Sequence, residues 1–198
     1  MNIKLKVWPD TVKNGEKVTV LWEGVQDPQA KDYIALCCPY YDDPKHFLDY
    51  HYANIATDWE KGYGHFDVNV YNMREECHFK YFRLSQDQKS YSLAANSNNV
   101  KFDDGGAQAP LQGHISLGND PTEMRVMWVS GEVKKPPVVK YGLSKNNLSM
   151  EEYRYIPHTY TADSMCQGNA NGKGFWHPGI TYDVLLTCLL YTSDAADE

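Results

Sequence analysis

Apolar and polar residues alternate over short stretches along the whole chain. Residues 3–7 and 18–22 alternate in this way, and turn residues such as the pair Asn14-Gly15 separate them. Residues 32–38 are more continuously apolar, and residues 77–84 form the last clear strand of this half. Period-two alternation in short stretches, with little helical periodicity, predicts β-strands arranged as an all-β sandwich.

The same pattern resumes in the second half of the chain. Residues 114–117 alternate, residues 118–121 (Gly-Asn-Asp-Pro) have turn chemistry, and residues 124–129 are apolar on both faces. This predicts two strands joined by a turn, with the second strand covered on both sides. Residues 144–155 are polar with weak periodicity and are interpreted as a loop, whereas residues 180–186 read as the last strand.

A turn-rich interval separates the two halves. Residues 90–110 include the runs Asn-Ser-Asn-Asn and Asp-Asp-Gly-Gly, which favour turns and linkers. The predicted fold is two consecutive immunoglobulin- or fibronectin III-like β-sandwich domains, residues 1–104 and residues 105–187. The second domain is expected to be truncated near its end, because residues 188–198 (CLLYTSDAADE) look like a translated sequencing adapter and are interpreted as a non-native tail.

The composition limits the range of partners. The chain has 198 residues and a formal net charge of −7, which disfavours nucleic acid and anionic membranes because both attract clustered Lys and Arg. A membrane span needs a run of about 20 apolar residues, and the sequence has none. Residues 1–7 enter an alternating strand directly, and no signal peptide is visible there.

The chain has five cysteines, and none forms the C-x-x-C spacing of a zinc or redox site. Cys37 and Cys38 are adjacent, so in a strand they point to opposite faces. One of them could bridge to Cys77 across the sandwich, as in immunoglobulin-type domains. The alternative, that these cysteines are buried and reduced, is equally compatible with the sequence.

The sequence of residues 110–131 resembles the first part of the N-terminal β-domain of purple acid phosphatases. Four later stretches fit this resemblance in order, and together they extend it to residue 187: residues 138–142 (VVKYG), 159–162 (TYTA), 165–166 (MC), and 176–179 (WHPG) followed by 182–184 (YDV). In the first half, residues 17–20, 59–62 and 81–83 resemble the first domain of the large members of this family more loosely.

The resemblance implies hydrolysis of phosphate monoesters at acidic pH by two metals, iron paired with zinc, manganese or a second iron. The family's catalytic motifs include Gly-Asp-x-x-Tyr and Gly-His-x-His, but the chain has no Gly-Asp pair, and Gly64-His65 lacks the second histidine. No catalytic and no metal-ligating residue is therefore assigned. The seven histidines show no zinc-type spacing, and His78 is expected on a solvent face.

The leading hypothesis is therefore an N-terminal fragment of a purple acid phosphatase. The fragment would be a non-catalytic scaffold whose partner is a missing C-terminal phosphatase domain, and a homodimer is kept as a possible assembly. The family implies a secreted, extracellular or lysosome- and vacuole-like location. Asn147, in the sequence Asn-Leu-Ser, is a candidate N-glycosylation site, which is compatible with secretion.

The alternative hypothesis is a free-standing extracellular β-sandwich binding module. Its contact surface would be formed by aromatic residues that crowd one long connection, namely Tyr40, Tyr41, Tyr50, Tyr52, Trp59 and Tyr63. Exposed Tyr and Trp suit contacts with protein or sugar. The competing interpretation is that these rings pack beneath the loop or against a further domain.

Overall fold

The computed structural model describes residues 3–38, 46–133, 135–172, 174–187 and 189. The chain divides into two compact units, Met1–Gly106 and Ala107–Glu198. Within the described residues, helical structure is confined to short 3₁₀ turns, at Ala53–Ile55, Trp59–Lys61, Gly106–Gln108, Ala162–Ser164 and Gly168–Asn171. The prediction of an all-β fold is confirmed. No helix in this part of the chain has the length and apolar character that crossing a membrane requires.

The first unit is built as a two-layer sandwich, and nine strands lie within residues 3–38 and 46–106, which the structure describes. They are β1 (Lys4–Trp8), β2 (Thr11–Val12), β3 (Lys17–Glu23), β4 (Tyr33–Cys37), β5 (Asp49–Tyr52), β6 (Gly64–Asn69), β7 (His78–Leu84), β8 (Tyr91–Asn96) and β9 (Lys101–Phe102). Three strands form one sheet in the order β1-β3-β6, and four form the other in the order β5-β4-β7-β8. The short strands β2 and β9 pair in parallel.

The alternating pattern of the sequence places one face of each sheet in a shared core. In β3, Val18 and Val20 are fully buried while the residues between them face outward, as period-two alternation requires. Phe79 and Tyr81 of β7 join the same apolar cluster from the opposite sheet. Since the residues of β4 are all buried, this central strand is covered on both faces.

Two glycines let the connection before β6 close against the core. A side chain at Gly64 would meet the Trp22 indole, since an added Cβ would lie 2.5 Å from its Cζ2 atom. Gly62 has a φ of +81°, and a Cβ there would lie 2.0 Å from the carbonyl oxygen of Val25. The Val25 N–H in turn donates to the Gly62 carbonyl at 3.0 Å. Larger residues would therefore displace this connection from the sheet.

A buried carboxylate ties the loop before β4 to β7. Asp32 is fully buried, and its Oδ1 accepts a hydrogen bond from the Leu84 N–H at 2.8 Å. Its Oδ2 accepts from the Gln29 N–H at 3.1 Å and from the Tyr81 hydroxyl at 3.3 Å. The Arg83 guanidinium lies 3.9 Å from the same oxygen. A buried carboxylate is tolerated here because donors and an opposite charge surround it.

The described part of the second unit has six strands, and its main sheet runs in the order β10-β11-β15-β14. The strands are β10 (Leu111–Leu117), β11 (Met124–Ser130), β12 (Val139–Tyr141), β13 (Met150–Glu152), β14 (Ile156–His158) and β15 (Ile180–Leu186). β12 and β13 form a separate two-stranded sheet. The interpretation of residues 144–155 as a loop is corrected by β13, a strand too short to show alternation.

The apolar face of the main sheet is covered unevenly. Register places Leu117, Met124 and Leu186 side by side, and Ile115, Val126 and Val184 in the next row. On β15, Val184 and Leu186 are buried. On β10, Ile115 and Leu117 are 70% and 74% exposed. We refer to the exposed pair Ile115 and Leu117 as the open edge of this sheet.

We expect replacement of Asp32 by alanine to destabilise the first unit by about 2–4 kcal/mol, because it leaves buried donors of Leu84, Gln29 and Tyr81 without their acceptor. Urea unfolding measures the loss, and amide exchange across β7 assigns it to this unit. The exposed residue Glu60 supplies the control: Glu60→Ala should leave the midpoint nearly unchanged. Equal stability of the two variants would show that the Asp32 contacts contribute little.

Candidate contact surfaces

Metal-binding groups are dispersed in the part of the chain that the structure describes. No three His, Cys, Asp or Glu side chains there lie together as a metal ion would require. A two-metal phosphatase centre needs several such ligands around ions about 4 Å apart. The described residues therefore do not fit the di-metal centre of the family that the sequence resembles.

An aromatic cluster covers the outer face of the four-stranded sheet in the first unit. We call it the outer aromatic face, and its members are Tyr33, Phe47, Tyr50, Tyr52, Phe82 and Tyr91. Tyr33 lies at its centre and is buried. Its ring centroid is 4.9 Å from that of Phe82, 4.7 Å from that of Tyr91 and 5.7 Å from that of Tyr50. Offset and edge-on pairs at these distances are stabilising.

The structure divides the aromatic residues that the sequence grouped together. Tyr50 and Tyr52 belong to the outer aromatic face, where they are 42% and 39% exposed and their rings meet edge to face at 5.4 Å. Tyr63 precedes β6 of the opposite sheet, and Trp59 is half-buried. Tyr40 and Tyr41 lie outside the described residues. One continuous contact loop is therefore not formed by the described members of the set.

Tyr63 borders a groove of about 590 Å³ beside the three-stranded sheet. Its lining includes the apolar residues Leu21, Trp22 and Ala56 and the polar residues Lys4, Lys6 and His65. Tyr63 is 44% exposed. Of the charged groups at the rim, Lys4 pairs with Glu23 at 2.9 Å and Asp58 with Lys61 at 2.7 Å. An apolar floor with a few polar groups is the usual character of a small-ligand pocket.

Polar side chains are buried beneath the outer aromatic face. His78 and Lys80 of β7 stand opposite Cys37 and Ala35 of β4, and both are buried. Burial, with the nearby charge of Lys80, lowers the pKa of His78 to about 4. The expectation that His78 faces solvent is therefore wrong. The signal that could have placed it is the adjacent pair Tyr81 and Phe82, which puts an aromatic ring on each face of the strand.

Among the described cysteines there is one disulfide, with a buried thiol beside it. Cys38 is bonded to Cys77, and the adjacent register pair is Cys37 with His78. The bond thus joins neighbouring strands of one sheet, which corrects the expectation of a bridge across the sandwich. Cys37 is free and buried, and burial raises its pKa to about 11, so the thiol is a poor nucleophile.

The second unit carries an ion pair on the face opposite the open edge. Arg125 of β11 donates to Asp183 of β15 at 2.5 Å, and Asp183 is largely buried. Both residues line a small cavity of about 240 Å³, together with Arg154 and Tyr155. The Arg154 guanidinium donates two hydrogen bonds to the Glu152 carboxylate, at 3.0 Å to Oε1 and 2.9 Å to Oε2. Asn147, the glycosylation candidate, is exposed between β12 and β13.

Comparisons with known proteins find similarity to one family. Residues 110–192 match the family model described as "Purple acid Phosphatase, N-terminal domain". The chain is 25% identical over 199 residues to the probable inactive purple acid phosphatase 9 of Arabidopsis thaliana, covering 92% of this chain and 30% of that protein. It is 28% identical over 178 residues to the probable inactive purple acid phosphatase 1 of the same plant, covering 83% and 27%.

A solved structure has the same fold. It is that of purple acid phosphatase PPD1 from yellow lupin (Lupinus luteus) seeds, with a TM-score of 0.78 and 22% sequence identity. The match covers 95% of this chain and 36% of the lupin chain. The chain therefore spans under a third of the length of the two Arabidopsis relatives and about a third of the lupin protein.

We expect the stability of the first unit to fall between pH 6.5 and pH 4 through His78. In the unfolded chain this histidine takes up a proton near pH 6.5, whereas in the fold it does so only near pH 4. Acid therefore favours the unfolded state in this window. From pH 7 to pH 5 the wild type should lose about 2 kcal/mol more free energy of unfolding than His78→Gln.

Urea titrations at both pH values test this expectation, because the carboxylates common to wild type and variant cancel in the difference. The exposed histidine His65 gives the control: His65→Gln should retain the wild-type pH dependence. If His78→Gln loses as much stability as the wild type, the buried histidine does not resist protonation.

Proposed function

We propose that this chain, whose residues 110–192 match the model of the purple acid phosphatase N-terminal domain, is the non-catalytic front part of a longer protein of that family. In that protein the two β-units would act as a scaffold beside a C-terminal metallophosphatase domain. The scaffold role holds whether the adjoining domain is catalytic or, as the names of the two Arabidopsis relatives state for them, inactive.

The activity proposed for the whole protein is hydrolysis of phosphate monoesters. When bound, the metal pair (iron with zinc, manganese or a second iron) supplies an activated water and a clamp on the phosphate oxygens. No described residue of this chain is assigned a part in that chemistry, in keeping with the dispersed His, Cys, Asp and Glu side chains. A secreted or vacuolar location follows from the family and is compatible with the Cys38–Cys77 disulfide.

The open edge of the second unit is the observation that carries the scaffold proposal. In the first unit, Leu5 and Val7 of β1 are buried, because β7 and β8 of the opposite sheet lie over them. The corresponding strand of the second unit is β10, which neighbours β11 as β1 neighbours β3. There, Ile115 and Leu117 are mostly exposed.

Strands of the longer protein would cover the open edge as β7 and β8 cover β1. Fully burying an Ile or Leu side chain contributes about 1.5–3 kcal/mol, so covering this pair is worth several kcal/mol to the longer protein. On this proposal, the domain would gain stability from residues of the longer protein. That dependence suits a front segment of a larger protein better than an independent module.

We expect Leu117→Asp to change the stability of the 198-residue chain by no more than about 0.5 kcal/mol, because the side chain is exposed there. In the longer natural protein, recovered by extending the transcript, the same substitution should cost about 3 kcal/mol or more, because it buries a charge in the completed core. Thermal unfolding of both lengths measures the difference.

Ser116→Asp is the matched control for this prediction, since Ser116 is also exposed but points to the opposite face of β10. It should be tolerated at both lengths. If Leu117→Asp were equally harmless in the longer protein, the open edge would not be a covered surface, and the scaffold proposal would lose its main support.

We also expect purified residues 1–187 to bind no stoichiometric iron and to leave a chromogenic phosphate monoester intact at acidic pH. Metal analysis by mass spectrometry and a hydrolysis assay make the measurement, with a known purple acid phosphatase as positive control. Stoichiometric iron together with turnover would overturn the assignment of a non-catalytic role.

A free-standing binding module is the second candidate function. The observation in its favour is the groove beside Tyr63, which combines an apolar floor with the ammonium group of Lys6 and an exposed aromatic ring. The natural sequence that follows residue 187, obtained by extending the transcript, distinguishes the binding module from the phosphatase scaffold. A further β-domain or a stop codon would favour the module, whereas Gly-Asp-x-x-Tyr and Gly-Asn-His motifs downstream would favour the phosphatase scaffold.

A further inference from the structure

The chain contains one Asn-x-Ser/Thr sequence, at Asn147, Leu148 and Ser149. The structure places it at the tip of the hairpin that joins β12 to β13. The hairpin register pairs Tyr141 with Met150 and leaves the residues between them as the connection. Residues 142–150 are all exposed. A bulky group attached at this tip would displace no packed side chain.

The local backbone presents the asparagine outward. Asn147 and Ser144 form an isolated antiparallel bridge, and the Asn147 N–H donates to the Ser144 carbonyl at 2.9 Å. The hydrogen bond closes a tight turn and engages the backbone N–H of Asn147, while its side chain makes no hydrogen bond to the described residues. An exposed turn of this kind leaves room around the carboxamide on the solvent side.

The carboxamide of Asn147 has no hydrogen-bond partner among the described residues. Other asparagine side chains of the chain hold structure together. The Asn72 amide donates to the Gly106 carbonyl at 2.7 Å, and the Asn98 amide donates to the Val7 carbonyl at 3.1 Å. Modification at either would cost a structural contact, whereas modification at Asn147 costs none.

The disulfide provides an independent indication of compartment. Cys38 and Cys77 are bonded, and such bonds form and persist in oxidising environments such as the lumen of the endoplasmic reticulum. N-glycosylation of Asn-x-Ser/Thr sequences occurs on chains that enter that same lumen. The bonded cysteines and the accessible sequon thus point to one route through the cell.

We propose that Asn147 carries an N-linked glycan. In the transfer, the Asn147 Nδ2 atom bonds to the anomeric carbon of an oligosaccharide donor linked to a lipid pyrophosphate. The bond from that carbon to the pyrophosphate oxygen breaks, the lipid pyrophosphate leaves with the electron pair, and Nδ2 loses one proton to a base. The inference is independent of the phosphatase proposal, since it depends only on this hairpin and on the disulfide.

The glycan also accounts for two exposed leucines at the hairpin tip. Leu143 is 89% exposed and Leu148 is 48% exposed, and they flank Asn147 in the same connection. The first sugars of a chain on Asn147 lie within reach of these side chains and shield them from other proteins. Exposed apolar groups of this size promote association when nothing covers them.

The test expresses the 198-residue protein behind a cleavable secretion leader in a eukaryotic cell. Wild type should show one glycosidase-sensitive increase in mass. Asn147→Gln and Ser149→Ala should abolish it, while Ser149→Thr should retain it because threonine also completes the sequon. Asn146→Gln is the matched control, since it alters an exposed neighbouring amide outside the sequon and should leave the glycan in place.

Intact mass also reports whether the Cys38–Cys77 bond has formed, and therefore whether the chain passed through the oxidising lumen. Disulfide-bonded protein without a glycan would overturn the proposal. Shielding has its own readout: enzymatic removal of the glycan should lengthen retention on a hydrophobic column. The Leu143→Ser, Leu148→Gln double variant, which preserves the sequon at Asn147 and creates no second one, should lose that difference. An equal change in this variant would exclude shielding by the glycan.

Discussion

A β-sheet with an apolar face is stable in water only when a second layer covers that face. In the first unit the requirement is met, because Val18, Val20 and Trp22 of one sheet pack against Phe79 and Tyr81 of the other. In the second unit it is met near β15 and fails at β10. The first unit therefore has a fully covered apolar sheet face, whereas the corresponding face of the second unit is left exposed at the open edge. The contrast between the two lies within one chain, and the proposed scaffold role depends on it.

The central strands β4 and β7 extend this constraint to both of their faces. Because the outer aromatic face covers them from outside, polar residues on that side are buried together with it, and His78, Lys80 and Cys37 lie in surroundings that oppose charge on the histidine and the thiol. Because the outer aromatic face buries His78, we expect the sheet to be more stable at neutral pH than in acid. A packing requirement thus determines the titration behaviour of residues that have no assigned catalytic part.

Alternation in the sequence predicted the all-β fold, because period two is a direct consequence of strand geometry. It could not find β13 and β14, since three residues are too few to show a period. It also misplaced His78: alternation assigns a residue to a face but does not reveal whether that face is covered. The separation of Tyr63 from Tyr50 and Tyr52 was hidden for a similar reason, because neighbours along a connection can pass to opposite sheets. The buried contacts of Asp32 join residues about 50 positions apart and leave no local pattern.

Exposed apolar side chains occur at two places in the second unit, and the surroundings indicate a different cover for each. At the open edge, Ile115 and Leu117 lie in the same rows as residues that are buried on β15. Protein packed over this pair would therefore extend an existing core. At the hairpin tip, Leu143 and Leu148 belong to no such row and lie near a sequon asparagine whose side chain has no hydrogen-bond partner among the described residues. A flexible, hydrated sugar suits an isolated tip, whereas a flat apolar row needs close packing. The two exposed pairs are both apolar, so hydrophobicity does not distinguish them. Their positions do: one pair lies in a row that further protein can pack against, and the other lies at a tip that suits a glycan.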